Sequence, residues 1–260
     1  MAYKDLLLIV DDSPNMAERL LLTAELAERC EAHVAGLYTT PASGNEAPHA
    51  AERLRAMFED MLRRRGVSAE WRTARGFAVD VAAVQARYAD LVILGQLDPA
   101  DPQAAVDRPR PEDIILAAGR PVLAVPYVGK CSGLGTRVLI AWDARREATR
   151  AISDAMPLLT VASAVTVLSV DPVVSRDEHG DIPGADIARH LGRHGVYARV
   201  ETALSAGVGV GDVLLSRAAD LSADLLVMGA YAHSRLRELV LGGATRTVLN
   251  SMTLPVLLSH

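Results

Sequence analysis

This sequence predicts an α/β chain of two tandem, doubly wound units, each built on a parallel five-stranded sheet. Three observations carry that expectation. First, the chain repeats itself. Tyr88-Ala-Asp-Leu-Val-Ile-Leu-Gly95 is echoed by Ser222-Ala-Asp-Leu-Leu-Val-Met-Gly229, and Pro121–Val125 by Pro255–Ser259, both at an offset of 134 residues. Near the start of each half, Leu7-Leu-Ile-Val-Asp11 is echoed by Val138-Leu-Ile-Ala-Trp-Asp143 at an offset of 132. Second, runs such as LLLIV, DLVIL and DLLVM are continuously apolar rather than alternating, as parallel strands covered on both faces are. Third, segments of helical period separate these runs, and strand–helix alternation builds βαβ units.

Taken in order, the strands of the first half are expected at 5–10, 32–38, 69–74, 90–95 and 121–126. Those of the second half are expected at 137–142, 164–170, 196–203, 224–229 and 254–259. After the first strand, Ser13 reads as a helix N-cap and Pro14 as the first helical residue, followed by an apolar face of Ala17, Leu20, Leu21, Ala24 and Ala27. The matching helix of the second half shows Ala148, Ala151, Ile152, Ala155 and Leu159, with a bend expected at Pro157. The glycine-rich stretch Pro126–Gly135 reads as a linker, which puts the domains at 1–128 and 136–260.

Of the 260 residues, 50% are hydrophobic and 23% charged, the composition of a folded globular chain. With 27 basic and 32 acidic residues the net charge is -5, which argues against a nucleic-acid surface or a polybasic membrane anchor. No apolar run approaches the ~18 residues that cross a bilayer, and the N-terminal apolar stretch is too short for a signal-peptide core. Cys30 and Cys131 are too few for a disulfide framework, and no CxxC offers a zinc site. The expectation is a cytoplasmic protein with neither nucleic acid nor membrane as partner.

Doubly wound sheets bind ligands beyond the C-terminal ends of their strands, where the strand order reverses. In the second half the fourth strand leads into Gly229–Val248, where glycines at 229, 242 and 243 bracket His233, Arg235 and Arg237. The glycine pair opens the last helix, whose N-terminus offers free N–H groups and the positive end of its dipole to an anion. The stretch reads as a phosphate cradle or, alternatively, as glycines that simply cap a strand and a helix.

At these residues the chain resembles the universal stress protein family, in the form with two domains in one chain, over essentially its whole length. The ATP-binding members carry a glycine, two residues, a glycine, nine residues, a glycine and then serine or threonine. Here Gly229 and Gly242 match the first and third glycines, while Ala232 stands at the second and Gly243 at the serine/threonine position. The resemblance implies a Rossmann-like, adenine nucleotide alpha hydrolase-like fold in each half. It places Ala141, Trp142 and Asp143, after the first strand, and Val170, after the second, beside an adenosine. Met228, Ala244 and Thr245 match the remaining contact positions, with the Thr245 hydroxyl near the phosphates. The implied function is a stress-response regulator whose second domain binds ATP or ADP, with Mg²⁺ held through the phosphates. The two departures, at Ala232 and Gly243, together cost about 2 kcal/mol, or about thirtyfold in affinity. The alternative is a ligand-free scaffold acting by dimerisation or partner binding.

The first half differs. After Gly95, prolines at 99, 102, 109 and 111 remove N–H donors, and Asp98, Asp101 and Asp107 repel phosphate. This half is expected not to bind ATP, with Asp11 retained as scaffold. Gly207–Asp212 reads as a loop before a helix, and no P-loop pattern is present. His190 and His194 read as a basic helix end rather than a metal site. His233 beside Ser234 lacks an orienting acid, so no catalytic residue is assigned and no enzyme is expected, slow ATP hydrolysis apart. The last strand of each half would expose a sheet edge if unpaired, and the resemblance implies pairing of the two halves within the chain, or of two chains as a homodimer.

Overall fold

The computed structural model describes residues 2–40, 48–101, 108–129, 133–172, 183–231 and 243–260. The chain divides into two compact units, Met1–Ser132 and Gly133–His260. Unit 1 contains β1 (Asp5–Val10), α1 (Met16–Cys30), β2 (His33–Thr40), α2 (Pro48–Arg64), β3 (Ala69–Arg75), α3 (Ala78–Ala86), β4 (Leu91–Gly95), α4 (Pro111–Ala117) and β5 (Val122–Val125). Its strands lie in the order β3-β2-β1-β4-β5, all neighbours parallel. Unit 2 contains β6 (Arg137–Ala141), α5 (Arg146–Leu159), β7 (Ala164–Val170), α6 (Ala185–Arg193), β8 (Ala198–Ala203), α7 (Val210–Asp220), β9 (Leu225–Gly229), α8 (Gly243–Ser251) and β10 (Val256–Ser259). Its order is β10-β9-β6-β7-β8, again parallel throughout.

The internal repeat holds at the level of register. Leu6 pairs with Leu91 in unit 1 and Val138 with Leu225 in unit 2. Likewise Val92 pairs with Val122, and Leu226 with Val256. The central strands are buried along their length, β1 from Leu6 to Val10 and β9 from Leu225 to Met228, because helices cover both faces of a parallel sheet. In unit 1, α1 packs with α2 and α3 with α4; in unit 2, α7 packs with α8. The strands β3 and β8 are mostly exposed or half-buried and carry charges such as Glu70, Arg72, Arg199 and Glu201, a usual defence of a sheet margin.

The repeated Ala-Asp-Leu element has a structural reason. The Asp224 carboxylate accepts N–H bonds from Gly135, Thr136 and Arg137 at 2.7, 3.1 and 2.9 Å, fixing the entry to β6. Asp90 accepts from Lys4 and Asp5 at 2.7 and 3.1 Å and does the same for β1. Burial pushes the Asp224 carboxyl up, with those three donors opposing it.

Two local expectations are corrected. Helix α1 starts at Met16 with Asn15 as its cap, not at Pro14 with Ser13. The Asn15 amide reaches away from the helix to donate to the Pro126 carbonyl at 2.6 Å, and Ser13 instead closes a turn with its carbonyl. The buried face of α1 contains Met16, Arg19, Leu20, Thr23 and Ala27, with Ala17 exposed and Leu21 half-buried. In α5 all five expected positions are buried, and the helix continues through Pro157.

Candidate functional site

In unit 2 the strand order reverses between β6 and β9, and the described candidate residues gather at that edge. Ala141 ends β6 and is half-buried, Trp142 follows it and Asp143 is exposed. The Trp142 N–H donates to the Leu168 carbonyl at 2.9 Å, which keeps this segment beside β7, where Val170 is the last residue. Asp143 accepts the Arg145 N–H at 3.0 Å, a turn that leads into α5. Met228 is buried beneath the edge and Gly229 ends β9. Helix α8 runs back along the sheet, so its first turn, with Gly243, Ala244 and Thr245, stands on the same edge. Ala232 and Gly242, together with His233, Arg235 and Arg237, lie outside the described residues.

Sterics explain the glycine that ends β9. A Cβ on Gly229 would stand 2.5 Å from the Ala148 nitrogen and 2.6 Å from the Glu147 carbonyl carbon, so α5 packs directly on the end of the strand. Beyond it, Ala230 continues the ladder to Ser259, and Tyr231 takes φ 61, a left-handed conformation costly for a bulky residue. That turn is held by the Thr245 hydroxyl, which accepts the Tyr231 N–H at 3.4 Å, and by the Tyr231 ring against His260, centroids 6.2 Å apart. The Thr245 side chain is thus buried and ties β9 to α8. Gly243 is exposed, with no described atom within 4 Å of where its Cβ would be. The first turn of α8 carries no acidic residue, so no side chain of that turn repels an anion.

A carboxylate outside the expected set lies beside this edge. Glu147 is buried, bonded to Arg146 and packed against Gly229. Burial pushes its carboxyl up, but the Arg146 hydrogen bond, its own N–H and the charges of Arg146 and His260 hold it below the usual range. An acid in the first turn of α5 is a familiar helix-start signal; its burial follows only from the tertiary packing on β9.

Unit 1 repeats the turn but fills the edge differently. Asp11 accepts the Ser13 N–H at 2.9 Å, as Asp143 does from Arg145. Its other oxygen meets Nη2 of Arg19 at 2.7 Å, and Arg19 is only 2% exposed. Burial pushes the Asp11 carboxyl up, yet the Arg19 charge and the Ser13 bonds outweigh it and leave the group below its ordinary value. A Cβ at Gly95 would stand 1.7 Å from Nη1 of Arg19, so the guanidinium lies over the end of β4. Arg108, whose side chain is 7% exposed, donates to Asp101 at 2.7 Å and to Asp12 at 2.9 Å. The expected repulsion by Asp101 is therefore neutralised within the protein. Pro111 occupies the start of α4, while Pro102 and Asp107 lie outside the described residues.

His190 and His194 sit at the C-terminal end of α6 with ring centroids 4.8 Å apart. Among the described residues no group of three His, Cys, Asp or Glu could hold a metal, and no helix is long and apolar enough to cross a membrane. Gly207 and Gly209 lie in the loop before α7.

Unit 2 is, by fold and edge, a doubly wound α/β domain with a helix N-terminus at its switch point. Residues 136–260 match the Universal stress protein family, and this unit belongs to it. A stretch of 38 residues is 53% identical to the Universal stress protein Slr1230 of Synechocystis sp., spanning 15% of this chain and 13% of that relative. Over both units the fold is similar to that of a universal stress protein from Archaeoglobus fulgidus, with TM-score 0.74 and 17% identity, covering 98% of this chain and 97% of that one. It is similar, too, to a functionally unknown protein from Pseudomonas aeruginosa PAO1, with TM-score 0.66, 21% identity and coverage of 99% and 92%.

Proposed function

We propose that unit 2 binds an adenine nucleotide, ATP or ADP, at the edge formed by β6, β7, β9 and α8, and that unit 1 binds none. The observation that carries this reading is the start of α8: an exposed Gly243 with no described atom within 4 Å of its Cβ position and no acid in the first turn, at the switch-point edge. The N–H groups of Gly243, Ala244 and Thr245 would receive phosphate, and Ala141, Trp142 and Val170 would flank the adenosine. Mg²⁺ would be bound through the phosphates. Universal stress proteins have been solved in complex with cAMP and with dAMP, and those proteins bind adenine nucleotides. In this chain the physiological role is that of a cytoplasmic stress-response regulator reading nucleotide through one site, with no catalytic residue assigned.

The scaffold reading is favoured by a different observation. Gly229 and Thr245 are each explained by packing or by a bond within the protein, with no ligand invoked. Mass spectrometry of small molecules released from freshly purified protein separates the two. An adenine nucleotide near one equivalent per chain supports the nucleotide site. Protein that carries no nucleotide, and takes up none from solution, leaves the scaffold.

A further inference from the structure

We propose that the switch-point crevice of unit 1 is a guanidinium-binding site whose resident ligand is the chain's own Arg19. Three observations on the β1 and β4 strand ends support it. The Arg19 head is almost wholly buried and donates through Nη2 to the Asp11 carboxylate at 2.7 Å and to the Met16 sulfur at 2.9 Å. Gly95 supplies the room, since a Cβ there would stand 1.7 Å from Nη1. A planar cation fits over a strand end only where the side chain is missing. The repeat supplies the third observation, a control within the same chain. The position matching Arg19 in α5 is Ala151, also buried, and there the helix backbone itself descends onto Gly229. Its carboxylate counterpart, Asp143, is 49% exposed and, among the described residues, makes no buried pair. Among the described residues, this arrangement is found in unit 1 and not at the matching edge of unit 2. At its mouth Arg108 bridges Asp12 and Asp101, so a second guanidinium closes what the first fills.

The chemistry of this pocket is a half-buried carboxylate, a thioether and a bare strand end, which selects a planar, hydrogen-bonding monocation over a spherical or tetrahedral one. Truncating the resident side chain exposes that selectivity, as an engineered cavity takes up a small molecule matching its lining.

The test is chemical rescue in the full chain. Arg19→Ala is expected to lower the melting temperature, and millimolar methylguanidinium to raise it again by about 3 °C or more. Sodium chloride or tetramethylammonium chloride at equal concentration should give no such rise, and wild type should not respond to methylguanidinium. Equal response to all three salts overturns the site. A second arm uses Gly95→Ala, which must displace the guanidinium in wild type and so should cost far more there than in Arg19→Ala. Additive effects of the two substitutions contradict the proposal. Should Arg19→Ala not fold, Arg19→Lys replaces it: its single ammonium leaves the Nη1 position empty, so Gly95→Ala must again cost less than in wild type, and an equal cost refutes the pocket.

Discussion

Placing serine at Gly243 should tighten ATP binding. Among the described residues nothing obstructs the new side chain: no described atom lies within 4 Å of the new Cβ, and the residue is exposed at the start of α8. Its φ is outside the left-handed region, so a side chain adds no backbone strain. The gain is one neutral hydrogen bond from the hydroxyl to a phosphate oxygen, about 0.5–1.5 kcal/mol, or about two- to twelvefold in affinity. Gly243→Ala is the matched control, because it adds the Cβ without the hydroxyl and should leave affinity unchanged. Adding Ala232→Gly, at the other departure from the family pattern, should carry the total gain past about tenfold. Isothermal titration of the full chain with Mg-ATP reads all of these. If serine and alanine act alike, the hydroxyl has no phosphate to meet and the assignment of α8 as the cradle is wrong.

Other substitutions probe the packing around the two edges. Gly229→Ala forces a methyl into the backbone of α5 and should destabilise unit 2 by about 1–3 kcal/mol or more, seen as a lower thermal midpoint. Thr245→Val keeps the volume but removes the acceptor for the buried Tyr231 N–H, and calorimetry should show a loss of about 1–3 kcal/mol. Asp11→Asn strands the buried Arg19 charge and should cost about 3–5 kcal/mol at neutral pH. The native carboxyl of Asp11 is held below its unfolded value, so its stabilisation is present above about pH 4 and is lost as pH falls through the native value. Denaturant titrations of wild type and variant should therefore converge as pH is lowered below that window.

Both sheets could be read from the chain because their central strands are continuous apolar runs, and the repeat set the correspondence of the halves. The helix start at Met16 could not, since Ser13 and Pro14 carry the usual signals while the deciding contact, Asn15 to Pro126, spans 111 residues. Arg19 was invisible for a related reason. An arginine within a helix ordinarily faces solvent, and here it is buried because Asp11 and Gly95 converge on it from two strands. One signal was nevertheless available: aligning the halves sets Arg19 against Ala151, a charge in one copy where the other has a core residue. The candidate edge of unit 2 was legible in the chain itself through Gly229 at a strand end and Gly243 at a helix start, whereas Ala141 to Asp143, Val170, Met228, Ala244 and Thr245 came from the resemblance to the universal stress protein family. The inward bond of Thr245 and the burial of Glu147 were not legible, since both depend on how α8 and α5 seat on β9.

The number of nucleotide sites per chain distinguishes an open unit 2 edge from a closed unit 1 edge. Titration of the intact protein with Mg-ATP should give a stoichiometry of one, abolished by no substitution confined to the unit 1 edge. A stoichiometry of two would mean that the Arg19 and Arg108 network does not close unit 1. No binding at all, with the chain folded, would contradict the assignment of unit 2 as a nucleotide site.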